Sequence, residues 1–141
     1  MGFGSINWLA VVVCVMVALI VGSVWFNPRT FYPMWLKAIG RSQTENAGGA
    51  NPAVMWGLTV LAALLQAVFM SLLVHALGSV TAGGASAGSG ALVGLALWLG
   101  FVAPASLSNK LFENRLMAWL VEAGNHLITY LLMGAILGAW H

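Results

Sequence analysis

Four stretches of this sequence run apolar for long enough to cross a lipid bilayer, at about 6–26, 53–80, 90–107 and 116–140. A helical span needs roughly 20 such residues, because a helix rises about 1.5 Å per residue and the hydrocarbon layer is about 30 Å thick. An open sheet in that setting would leave edge amides and carbonyls without partners. A membrane barrel would alternate polar and apolar residues, which these stretches do not. The predicted fold class is therefore all-α: a polytopic membrane protein, a single four-helix transmembrane domain over 1–141. Composition agrees, with 61% hydrophobic and 6% charged residues, against about a quarter charged in an average soluble domain. A water-soluble globule of this size could not hide so much apolar surface.

Local signals set the boundaries. Asn27-Pro28 stops the first stretch, since the residue before proline is biased away from helix. Asn51-Pro52 offers a start for the second. Pro104 lies near the end of the third. Met1 to Ser5 lacks the basic n-region of a signal peptide, so the first apolar stretch is expected to remain as a span. Residues 29–41 mix Phe31, Met34, Trp35 and Ile39 with Arg29, Lys37 and Arg41, the pattern of a short amphipathic helix on the cytoplasmic surface. Ser42 to Gly49 reads as a flexible loop, and Thr81 to Gly90 as a short Gly/Ala/Ser connector. Trp8, Trp25, Trp56, Trp119 and Trp140 fall near span ends, as interfacial belts require.

Charge fixes an orientation. Arg29, Lys37 and Arg41 lie between the first and second spans, and Lys110 and Arg115 between the third and fourth. All five basic residues thus fall on one side, which the positive-inside rule makes cytoplasmic. Both termini are then expected outside, and the asymmetry argues against insertion in two orientations. Five basic residues in short loops offer no stripe that could follow a phosphate backbone, so nucleic acid is not an expected partner. Cys14, the single cysteine, rules out an intramolecular disulfide.

Chemistry concentrates in the fourth span. At 100° per residue, Glu122, Asn125, His126, Thr129 and Tyr130 share one arc of about 140°. Glu122 lies roughly 9 Å, His126 roughly 15 Å and Tyr130 roughly 21 Å from Leu116 along the helix. Ionisable groups at such depth face a bundle interior or a watery cavity and are functional candidates. A relay or polar site would use Glu122 and His126, one turn apart. Interhelical hydrogen bonding is the plainer role for Asn125, Thr129 and Tyr130, and for Gln66, which reaches the same level on the second span. His75 lies about 17–18 Å from His126 in depth, too far for both to ligate one haem. A haem or pigment held by His126 alone is the remaining cofactor option; no motif requires a cofactor, and none has metal-ligand or nucleophile–base spacing. Gly134-x-x-x-Gly138 and Gly90-x-x-x-Gly94 are small-residue pairs that let helices approach closely.

The stretches Gly22-Ser23-Val24-Trp25-Phe26-Asn27-Pro28 and Trp35-Leu36-Lys37-Ala38-Ile39-Gly40 resemble the opening of a family of small bacterial membrane proteins. Leu99 to Pro104, Ser108-Asn109, Leu111-Phe112-Glu113, Ala123 to Leu127 and Met133 to Leu137 are similar to the rest of its pattern, in order. That family is known only as a domain of unknown function. The resemblance implies a four-span protein of the bacterial inner membrane with no assigned activity. Glu122 stands where the family usually has a neutral residue. The leading expectation is a non-enzymatic accessory or assembly subunit, acting in a homo-oligomer or a larger membrane complex. A small ion- or proton-coupled transporter built on Glu122 and His126 is the alternative; with four spans it needs a dimer.

Overall fold

The computed structural model describes residues 4, 6–27, 29–39 and 52–141 of the chain. Among these residues the chain is all-helical: α1 (Trp8–Trp25), α2 (Tyr32–Ala38), α3 (Pro52–Ser79), α4 (Ala87–Leu97), α5 (Ala103–Phe112) and α6 (Leu116–Ala139). A π-helical turn at Trp98–Val102 joins α4 to α5. α4, the π turn and α5 form one continuous span over Ala87–Phe112, so among the described residues four helices are long and apolar enough to cross a membrane. Pro28, the Ser42–Gly49 loop, Arg41 and Asn51 lie outside the described residues.

The third span is longer than its hydropathy suggests at both ends. Ser86 begins it with a reciprocal cap: its hydroxyl accepts from the Ser89 amide at 3.1 Å, and the Ser89 hydroxyl accepts from the Ser86 amide at 2.9 Å. Gly83 and Gly84, at φ of 88° and 77°, make the turn leading into it. Pro104 does not end the helix. Proline has no amide and crowds the carbonyl four residues back. The π turn just before it, where the Ala103 amide bonds back to the Trp98 carbonyl, widens the backbone at that point. The helix then runs on to Phe112, and Asn114, at φ 58°, turns the chain into α6.

α6 is the hub and packs against every other helix. Its tightest contact is with α4, where a Cβ added at Gly90 or Gly134 would collide with the other's carbonyl oxygen. Gly94 meets the Tyr130 carbonyl in the same way, and Gly138 the Ser86 carbonyl. Only glycine lets the two backbones lie this close. Ser86–Gly138, the Asn7 Nδ2–Trp140 carbonyl hydrogen bond at 3.4 Å and the His75–His141 ring contact at 5.9 Å mark one end of the bundle. Arg29, Lys37, Lys110 and Arg115 all lie at the other, where the Arg115 guanidinium donates to the Ala38 carbonyl at 3.1 Å.

Packing differs between the two ends. The buried residues of α1 are Ala10, Val11 and Cys14, in its first half, and those of α3 are Ala63, Ala67, Val68, Met70, Ser71 and Val74, mostly in its second. The helices run antiparallel, so both sets lie at the end that carries the termini. Towards the basic end α1 and α3 are not closed against each other, and Ser23, Thr59 and Ala62 are exposed. The outer flank of α1, with Leu9, Val12, Met16, Ile20 and Val24 exposed, is the kind of surface a bilayer solvates.

The glycine seam gives a direct test. Gly134→Val forces α4 and α6 apart and is expected to lower stability by about 3 kcal/mol. Gly57→Ala, where an added Cβ meets nothing within 4 Å, is expected to be neutral or stabilising by up to about 1 kcal/mol. Thermal unfolding in detergent reads both; equal stabilities for the two variants would contradict the seam.

Candidate functional site

The opening between α1 and α3 is a cleft of about 760 Å³, backed by α6 and covered at the basic end by the aromatic side of α2. Its polar wall is made by Gln66 of α3 and by Asn125, His126 and Thr129 of α6. The helical spacing of the α6 residues puts them on one face, and the glycine seam with α4 turns that face towards α1 and α3. Ser23, Asn27 and Thr59 add polar groups near the rim, and Phe26, Tyr32, Trp35 and Trp56 supply the aromatic cover. Among the described residues no Asp, Glu, Lys or Arg lines the cleft.

Two of these polar atoms have no partner among the described residues. Asn125 Oδ1 and Thr129 Oγ1 are both buried, and neither takes part in a hydrogen bond there. Thr129 is 5% exposed, so bulk water does not satisfy it. Buried polar atoms are nearly always hydrogen-bonded, so these two leave capacity for a partner such as water or a bound molecule. Outside the cleft, Ser71 Oγ and both ring nitrogens of His75 are buried and unpartnered in the same way. Thr59, by contrast, donates its hydroxyl to the Met55 carbonyl at 2.7 Å and is satisfied.

The remaining members of the sequence-derived arc lie elsewhere. Tyr130 is 7% exposed and lines a second, apolar cavity of about 320 Å³ between α3, α4 and the π turn. Gln66 contributes to the walls of both cavities. Glu122 is outside the cleft lining. Its carboxylate accepts from the Trp35 indole at 3.3 Å and pairs with Lys110 at 3.6 Å, with side-chain exposures of 23% and 20%. Lys110 also reaches Glu113, at 3.5 Å. Among the described residues no hydrogen bond or ion pair joins Glu122 to His126. Glu122 therefore helps to hold α2 and α5 against α6 at the basic end.

Tryptophans add a set of contacts that the sequence does not announce. The Trp25 indole donates to the Val121 carbonyl at 2.8 Å, and that of Trp98 to the Ala123 carbonyl at 2.9 Å. The Trp25 ring crosses α6 at Gly124, where a Cβ would stand 2.7 Å from Cζ2. The Trp119 indole donates to the Ala103 carbonyl at 3.1 Å. Indole N–H groups seek a partner when buried. Trp25 and Trp119 thus cross-link helices at a depth where a belt residue would face headgroups. Among the described residues no group of three His, Cys, Asp or Glu side chains is arranged to hold a metal ion.

The Glu122 position can be measured. Glu122→Gln keeps an acceptor for Trp35 and loses the ion pair, so the expected cost is under about 1 kcal/mol. A double-mutant cycle with Lys110→Met is expected to give a coupling of about 0.5–1 kcal/mol. Zero coupling in thermal unfolding would show that Lys110 and Glu122 do not act on each other.

Comparison with curated proteins and with solved structures gives no match. A family model described as a protein of unknown function (DUF1761) matches residues 9–138. This bears out the resemblance carried by the Gly22–Pro28 and Ala123–Leu127 stretches, and nearly the whole helical bundle falls within the match. The chain, with four helices long and apolar enough to cross a membrane, belongs to the DUF1761 family, whose function is unknown.

Proposed function

We propose that the chain is a non-enzymatic binding protein of the membrane, holding a small polar-headed ligand in the cleft between α1, α3 and α6. The observation that carries this reading is the pair of buried, unpartnered atoms, Asn125 Oδ1 and Thr129 Oγ1, in a wall shared with Gln66 and His126. If these side chains served only to join helices, they would be bonded to one another across the bundle. The lining offers amides, hydroxyls and one imidazole, a set suited to holding a head group in place.

A transporter using a Glu122–His126 relay is less favoured, because Glu122 is engaged by Trp35 and Lys110. A second reading, the subunit of a homo-oligomer or larger complex, draws on the same opening. The mouth between α1 and α3 can receive an apolar helix of a partner that carries one polar side chain. The mass of the complex in mild detergent separates these readings, and absorbance of the same sample reports a haem or pigment on His126.

Thr129→Val tests the binding reading directly. It swaps an orphaned hydroxyl for a methyl of the same shape, so the ligand-free protein is expected to be as stable as the parent or more so, by up to about 1 kcal/mol. A loss of 1 kcal/mol or more would mean that the hydroxyl serves helix packing, and would count against the site.

We infer also that the chain sits in the bacterial inner membrane with both termini outside, on the support of the basic residues gathered at one end. In a Cys14→Ala background, cysteine at Gly4 is expected to react with an impermeant maleimide on intact cells. Cysteine at Asn109 is expected to react only after the membrane is opened. The reverse pattern would invert the orientation.

A further inference from the structure

We propose that the ligand of the cleft is a neutral lipid with a small hydroxyl-bearing head, which enters sideways from the bilayer between α1 and α3. This rests on the binding reading above and adds the chemistry of what is bound.

Charge narrows the choice first. Among the described residues no Asp, Glu, Lys or Arg lines the cleft. Outside the lining, Glu122 is paired with Lys110 at 3.6 Å and Arg115 donates to the Ala38 carbonyl at 3.1 Å, while Arg29 and Lys37 are exposed. A charged head would enter without a counter-ion, which is strongly unfavourable away from water. Depth narrows it further. Asn125 and Thr129 lie roughly 14 and 20 Å along α6 from Leu116, near the centre of a hydrocarbon layer about 30 Å thick. A phospholipid head anchored at the interface does not reach that level. A small neutral head can.

The orphaned atoms then specify the hydrogen-bonding group. Asn125 presents an acceptor and Thr129 a hydroxyl that can act either way. The Asn125 oxygen only accepts, so a ligand bonded to it must donate, and the Thr129 hydroxyl can return a bond to the same group. A hydroxyl does this, while a ketone or ester carbonyl only accepts. The route follows from the packing. Ser23, Thr59 and Ala62 leave a low, small-sided rim at the basic end, through which a hydrocarbon tail can remain in lipid while the head lies inside. The rings of Tyr32 and Trp35 cover the head from above.

Diacylglycerols, with an alkyl hydroxyl, and isoprenoid hydroquinones, with phenolic ones, represent the two kinds of hydroxyl such a lipid can carry. The full-length protein, stripped of lipid in a non-ionic detergent, is titrated with dioleoylglycerol, a ubiquinol, the matching ubiquinone and phosphatidylglycerol. Native mass spectrometry reads occupancy. At least one hydroxyl lipid is expected to bind ten-fold or more tightly than both the ubiquinone and phosphatidylglycerol, and its identity separates the alkyl from the phenolic source. Thr129→Val is expected to weaken that binding about ten-fold, and Thr129→Ser to restore it. Ubiquinone or phosphatidylglycerol bound as tightly as the hydroxyl lipids, with Thr129→Val still weakening them, would overturn the ligand class and leave the binding reading standing. Retention of none of the four by a protein that remains folded would overturn both.

Discussion

The close approach of α4 and α6 is the contact on which the rest of the arrangement depends. In lipid, apolar side chains gain little by leaving their surroundings for one another, so helices associate through close packing and polar contacts. Gly90 and Gly94 on one helix and Gly134 and Gly138 on the other bring two backbones together where any side chain would collide. That fixes the rotation of α6 about its own axis. With its glycine side committed to α4, the opposing side, carrying Asn125, His126 and Thr129, faces the space between α1 and α3. Trp25 and Trp98 then reach α6 at neighbouring carbonyls, Val121 and Ala123, and hold that rotation from two sides.

Much of this was legible in the sequence, and the physical reason is periodicity. Hydropathy over some twenty residues reports a span because the bilayer has a fixed thickness, and the spans at 6–26, 53–80 and 116–140 agree closely with α1, α3 and α6. The 3.6-residue repeat also groups Asn125, His126 and Thr129 on one face. What periodicity does not report is which neighbour a face meets. Nothing local distinguishes Glu122, paired with Lys110 and Trp35, from Asn125, left without a partner. Pro104 looked like an end because proline usually is one, and the π turn that carries the helix past it depends on five residues with no strong signature of their own. The tryptophans at span ends suited a belt equally well, and only the positions of the Val121 carbonyl on α6 and the Ala103 carbonyl on α5 turn Trp25 and Trp119 inward.

The basic end is organised around α2. Leu36 is 1% exposed and anchors this short helix on α6, while Trp35 donates to Glu122 and Arg115 closes on the carbonyl of Ala38. The surface helix expected from its mixed aromatic and basic composition is thus docked through one leucine and two polar contacts. Its aromatic residues cover the cleft, and its cation, Lys37, points away from the bundle and is exposed.

A bundle knitted together at one end and parted at the other does not meet the two monolayers of a membrane equally. Lipids of one leaflet meet a sealed, glycine-stitched wall, while those of the other meet a doorway between Ser23 and Thr59. On the lipid-binding proposal, a molecule that exchanges with the cleft samples one leaflet only, and its occupancy follows the composition of that monolayer, independent of the bilayer average. Membrane asymmetry, which a symmetric four-helix bundle would ignore, then becomes a quantity the chain can register.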